Sequence, residues 1–192
     1  MNTKRYLLNE QLLGMQLEAL DFKNIEPYQI SKGGVFRTEN SLVAVDLEEI
    51  QPDTLDSMLK NRIITVTGEV FNQTLDFYKN KPGNHKVYNI SFVVNGSEMQ
   101  AKMTSYKEYI RILYTVFLYA KQFIEREKPL ALFIFSSPKK EGESGDQKNL
   151  VYNHVVRAHL PTGYTYSEAA IRPSTQTRPG VVVYRKTLPN KK

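Results

Sequence analysis

Apolar positions recur at two different periods along this chain, and the period sets the element at each place. Tyr6, Leu13, Leu17 and Leu20 fall on one helical stripe, with Leu8, Leu12 and Met15 beside it, and predict an amphipathic first helix. Gly33-Gly34 ends that pattern. Two short strands are expected next, at 35–38 and 42–47 around a Glu39-Asn40 turn, followed by a short helix capped by Asp53 and reaching Lys60. RIITVTGEVF, residues 62–71, is rich in β-branched residues and reads as a strand with Gly68 as a bulge. Asn95-Gly96 then joins two alternating arms, a strong hairpin signal. Tyr88, Ile90, Phe92 and Val94 share a face of the first arm, and Met99, Ala101 and Met103 share one of the second.

Residues 105–126 carry the longest helical pattern. Tyr106, Ile110, Leu113, Phe117, Ala120 and Ile124 form an unbroken stripe that Tyr109, Ile112, Val116 and Phe123 widen, and Ser105 with Glu108 reads as a capping box. LALFIFS follows, a continuous apolar run expected of a strand covered on both faces. After the polar loop SPKKEGESGDQK, a second helix is expected over 147–160, with Tyr152, Val155, Val156 and His159 at helical spacing. Gly163-Tyr164 leads into a strand, and VVVYRKTL is the last one. The pattern is that of an α+β fold, a mixed sheet with two main helices, in one domain over 61–192. Residues 1–60 read as an N-terminal extension of helix and short strands.

Composition narrows the chemistry. At 192 residues and 41% hydrophobic the chain can bury a sizeable core. It has no cysteine, which removes disulfides, thiolate metal ligands and a cysteine nucleophile together. The apolar part of the N-terminus is interrupted by Asn9, Glu10 and Gln11, unlike a signal peptide, and no run has the length of a membrane span. A cytoplasmic protein without a membrane partner is expected. Residues 139–192 hold ten Lys/Arg against four Asp/Glu, so the whole net charge of +6 sits there. A basic segment of that kind attracts nucleic acid or an acidic protein surface, or serves solubility. Lys139, Lys140, Arg185 and Lys186 are its candidate nucleic-acid contacts, with Tyr164, Tyr166 and Tyr184 nearby for base stacking. No metal site is expected. His154 and His159 are five apart rather than four, and the acidic group Asp46, Glu48 and Glu49 reads as a solvated strand end.

From residue 62 the expected order is strand, hairpin, long helix, buried strand, helix, strand, strand, with a Thr162-Gly163-Tyr164 exit from the second helix. This order resembles the GNAT acetyltransferase superfamily over residues 62–188. The resemblance implies coenzyme A between the strand before the long helix, 98–104, and the buried strand, 130–136. Its pyrophosphate would lie on the turn that opens the helix, where Thr104, Ser105 and Tyr106 stand. His159, four residues before Gly163, takes the place where many members carry a tyrosine general acid, and Tyr152 is the second catalytic candidate. YKEYIRILYTVFLYAKQFIEREKP, FIFS and KNLVYNHVV together look like small bacteriophage-encoded proteins of this architecture.

At the cofactor turn the chain departs from the family. MTSYKEY holds no glycine, a Ser105 cap would occupy one helix N–H, and the Glu108 carboxylate would compete with a diphosphate for the same positive field. The sequence therefore favours a binding or assembly protein without cofactor or catalytic residues, acting through a protein partner or self-association. The stripe of Tyr6, Leu13, Leu17 and Leu20 is its candidate interaction surface. An acetyl-CoA-dependent N-acyltransferase and a basic nucleic-acid-binding accessory are the alternative expectations.

Overall fold

Alternation of side chains along the central strands decides the layering. The computed structural model describes residues 25–39, 41–94, 106–135, 145–172 and 177–187. In chain order these form β1 (Val35–Arg37), β2 (Leu42–Ile50), α1 (Pro52–Lys60), β3 (Ile64–Val66) and α2 (Val70–Tyr78). Then come β4 (Val87–Val94), α3 (Tyr106–Glu127), β5 (Ala131–Phe135), α4 (Gly145–His159), β6 (Tyr164–Ile171) and β7 (Arg178–Arg185). The seven strands make one mixed sheet in the order β1-β2-β4-β5-β7-β6-β3. Among the described residues only β4 and β5 are parallel, and every other pair is antiparallel. The fold is α+β.

In β5, Leu132 and Ile134 enter the core beneath α3 and α4, while Ala131 and Phe133 enter the core beneath α1 and α2. β7 divides in the same way, with Val181 and Val183 on the first face and Val182 and Tyr184 on the second. A continuous apolar run is what a strand with no solvent face requires. On the second face Phe71 of α2 meets Phe133 and Tyr184 edge to face, with ring centroids 5.6 and 5.3 Å away. Burying each of these aromatic rings contributes about 2–3 kcal/mol. On the first face the expected stripe of α3 is buried at Ile110, Leu113, Phe117, Ala120 and Ile124, and Ile112, Val116 and Phe123 are buried beside it.

Residues 62–71 are not one bulged strand. Only Ile64–Val66 pairs, and Gly68, at φ +80°, turns the chain into α2. Phe71, Thr74 and Tyr78 are the buried face of that helix. Asp53 does not cap α1 either. Gln51 is the cap residue, Pro52 opens the helix, and Asp53 stands in its first turn, where a carboxylate favours the positive dipole end.

The boundary expected at 60/61 falls inside a single sheet. β2 pairs with β4 from Val43↔Val94 to Ile50↔Val87, and Phe36, Val43 and Val45 belong to the core under α3. Residues ahead of β1 are fastened to the same helix. The Tyr28 N–H donates to Thr115 Oγ1 at 3.0 Å, and Arg111 Nε donates to the Glu26 carbonyl at 2.7 Å. The Arg111 guanidinium also lies 4.0 Å over the Tyr28 ring. The stripe residues Tyr6, Leu13, Leu17 and Leu20 lie outside the described residues, as does the second arm of the expected hairpin. The first arm is β4, and it is this arm that stands parallel to β5.

Candidate functional site

Three places bear on the expected site: the carboxyl end of the parallel pair, the packing of α4, and the amino end of the pair. β4 and β5 pair from Val87↔Ala131 to Ile90↔Ile134. Beyond that, β4 stays in register with β2 to Val94, and β5 stays with β7 to Phe135↔Gly180. The two parallel strands are thus held from their outer sides at their carboxyl ends, the end of an open sheet at which ligands commonly bind. Thr104 and Ser105 lie outside the described residues, and Tyr106 is the first residue of α3. Glu108 occupies the first turn of that helix.

The two catalytic candidates sit in helix packing. Tyr152 is buried in the core shared by α3, α4 and the sheet. His159, the last residue of α4, lies with its ring centroid 5.1 Å from that of Tyr114 on α3. The two candidates stand seven positions apart on the helix, about 10 Å of axial rise, so they do not form an acid–base pair. Burial first, and the nearby Lys121 ammonium second, lower the His159 pKa below the ordinary 6.5.

A lowered imidazole pKa has a consequence for stability. Above the unfolded value both states are neutral at this position. As pH falls through about 6.5 the unfolded chain takes up the proton first, so the folded state loses stability until its own lower pKa is passed. His159→Gln should flatten the acid limb of the stability profile between pH 7 and 5, measured by urea unfolding at each pH. An unchanged slope would show that the ring is not the group responsible.

Arg185 is committed to the backbone. Its Nη2 donates to the Asn84 carbonyl at 3.1 Å, to the Pro129 carbonyl at 3.4 Å and to the Lys128 carbonyl. Asn84 Nδ2 donates to Glu127 O at 2.7 Å, and Lys128 turns the chain with φ +48°. These donors gather at the C-terminal end of α3, where helical carbonyls have no partner of their own and the dipole favours a cation. Tyr164 Oη donates to Pro129 O at 2.7 Å inside the core, and burial raises its pKa. Tyr164 and Tyr184 are buried, and Tyr166 Oη receives Arg157 Nε at 2.5 Å. The aromatic rings expected beside the basic segment are therefore largely committed within the fold. Lys186 is exposed, and Lys139 and Lys140 lie outside the described residues.

The amino end of the parallel pair carries the feature that the sequence reading missed. A cavity of 460 Å³ opens between α1, α2 and the first residues of β4 and β5, lined by Ile50, Leu55, Leu75, Tyr78, Val87 and Leu130 among others. His85, also in its wall, packs 5.5 Å from the Tyr78 ring. Its Nε2–H donates to the Lys81 carbonyl, which leaves Nδ1 as the ring's acceptor, buried and without a hydrogen-bond partner among the described residues. A second cavity of 630 Å³ is lined by Arg185, Ile124, Pro161 and Tyr164 among others. Recognising α2 by its 71, 74/75, 78 spacing would have exposed the first cavity, since that helix forms one wall.

Among the described residues no group of three or more His, Cys, Asp or Glu could hold a metal ion, and no helix is long and apolar enough to cross a membrane. In comparisons with known proteins, the chain matches no protein-family model, no curated protein and no solved structure.

Proposed function

We propose that this chain is a binding and assembly protein, bacteriophage-encoded, built on an acetyltransferase-like scaffold whose cofactor turn has been lost. The placement of His159 and Tyr152 carries the reading. The two groups an acyl transfer would need for proton handling are packing residues two helical turns apart. A general acid or base must reach the proton it moves, directly or through one water. The resemblance would put coenzyme A between residues 98–104 and the buried strand, and residues 98–104 lie outside the described residues.

The scaffold part of the reading is supported by sheet order. A helix crosses between the parallel neighbours β4 and β5, and β7 is inserted antiparallel between β5 and β6. The partner is another protein or a second copy, in the host cytoplasm or the virion. The nucleic-acid reading is weaker, because Arg185 spends its donors on carbonyl oxygens and Tyr164 and Tyr184 are core residues.

Native mass spectrometry of the purified full chain tests the proposal. The expected spectrum shows an oligomer or a co-purified protein and no coenzyme A adduct. A monomer carrying coenzyme A or nucleic acid would overturn it.

A further inference from the structure

The cavity between α1 and α2 combines an apolar floor with a rim whose charge is opposite in sign to that of the whole chain. Ile50, Leu55, Leu75, Val87 and Leu130 contribute to the floor. Its 460 Å³ falls within the range of about 300–1,000 Å³ common to small-molecule sites. Four carboxylates, Glu49, Asp53, Asp56 and Asp76, share the lining with two ammonium groups, Lys79 and Lys86. Glu49 is paired with Lys86 at 2.6 Å, and Asp56 is paired with Lys60 at 3.2 Å. Asp53 and Asp76 are exposed, and neither has an ion-pair partner among the described residues. A negative rim on a chain of net charge +6 draws cations toward it.

Side-chain donors in the lining are mostly spent, while acceptors are left over. Tyr78 Oη donates to the Lys186 carbonyl at 3.0 Å, the His85 Nε2–H donates to the Lys81 carbonyl, and Lys86 is held by Glu49. Lys79 is the remaining side-chain donor, and no ion pair joins it to Asp76 among the described residues. The two free carboxylates differ in their settings. Asp53 stands in the first turn of α1, where the positive end of the helix dipole already stabilises it. Asp76 stands in the last turn of α2, which holds no basic residue, so its charge adds to the negative end of that dipole. A cation beside Asp76 relieves both. The lining therefore selects a ligand that donates and carries positive charge.

We propose that this cavity binds a small organic amine, a compound with a short apolar body and one ammonium group. The body covers Leu55, Val87 and Leu130, and the ammonium donates to Asp76, with Asp53 as the second acceptor. Burial of the body supplies the affinity, and the carboxylates select the charge. Tyr78 and His85 are fastened to backbone carbonyls without any ligand, and a pre-formed wall lowers the ordering cost of binding. The inference is independent of the acetyltransferase-like reading.

Hexylamine, hexanol and hexanoate share a body and differ in charge at neutral pH, so together they test the site. Each is titrated at low salt into the isotope-labelled full chain, and amide chemical shifts report both place and affinity. Hexylamine should saturate with a Kd on the order of millimolar, the level expected of so small a ligand. Its shifts should centre on residues 50–56, 75–79 and 85–87. Hexanol should bind there about fivefold more weakly, the scale of an exposed ion pair, and hexanoate should not saturate. In the Asp53→Asn/Asp76→Asn variant, whose substitutions are exposed and leave the core intact, the amine should fall to the affinity of the alcohol while the alcohol keeps its own. Hexylamine that fails to saturate or binds no tighter than hexanol, shifts centred elsewhere, saturation by hexanoate, or an amine affinity indifferent to the two aspartates would each overturn the proposal.

Discussion

Gly180→Ala should destabilise the fold by about 3 kcal/mol, at the upper end of what overpacking usually costs. A Cβ at that position would lie 2.2 Å from the Ile134 carbonyl oxygen, 2.9 Å from Phe135 Cα and 2.8 Å from Phe135 Cδ1. Two of these three atoms are backbone of β5. They cannot move aside singly, because β7 is hydrogen-bonded to β5 on one edge and β6 on the other, with Gly180 opposite both Phe135 and Ala169. Relief requires opening a ladder at the centre of the sheet. Thermal unfolding followed by circular dichroism should show a midpoint lowered by roughly 6–12 °C for a chain of this size. Gly163→Ala is the control. Its φ of +83° strains an L-residue, but none of the described residues lies within 4 Å of the added carbon, so about 1 kcal/mol is expected. Equal effects at the two glycines would mean that the close approach of β7 to β5 does not matter.

Elements whose pattern is continuous were legible in the sequence. The stripe of α3 and the unbroken apolar run of β5 each announced the environment that the fold provides, a helix on one face and a strand between two. α2 escaped because Thr74 sits in the middle of its buried face. Thr74 Oγ1 donates to the Val70 carbonyl at 2.8 Å, so the hydroxyl is satisfied within the helix and the residue can be buried despite its polarity. The strands at 35–37 and 42–50 were foreseen as strands but placed in an extension. Their alternation specifies a half-buried strand, while the strand that β2 pairs with, β4, lies 37 to 51 residues further along the chain, and the helix that covers both comes after it. Local periodicity contains no record of that pairing.

The candidate residues follow the same division. His159 was expected on the helix face that carries Tyr152 and Val156, and it is there, but what lowers its pKa is burial in the helix packing and the Lys121 ammonium on another helix. Arg185 counted as one cation of a basic segment. Its role is set by the carbonyls of Asn84, Lys128 and Pro129, from the loop before β4 and the end of α3. A charge count gives the field around a protein; it does not reveal which cations are already bound to backbone.

The central claim is that this scaffold does not use an acyl-CoA. At the entrance to α3 the sequence provides no glycine for close backbone approach, and Glu108 stands in the first turn, where a pyrophosphate would need the helix dipole to itself. Isothermal titration of the full chain with acetyl-CoA, at high protein concentration and neutral pH, puts that claim to its most direct test. The account predicts no binding tighter than about 1 mM, an interaction of about 4 kcal/mol. Saturable binding with a Kd in the micromolar range would contradict it and make Ser105, Tyr106 and His159 the first residues to replace in an acyltransferase assay.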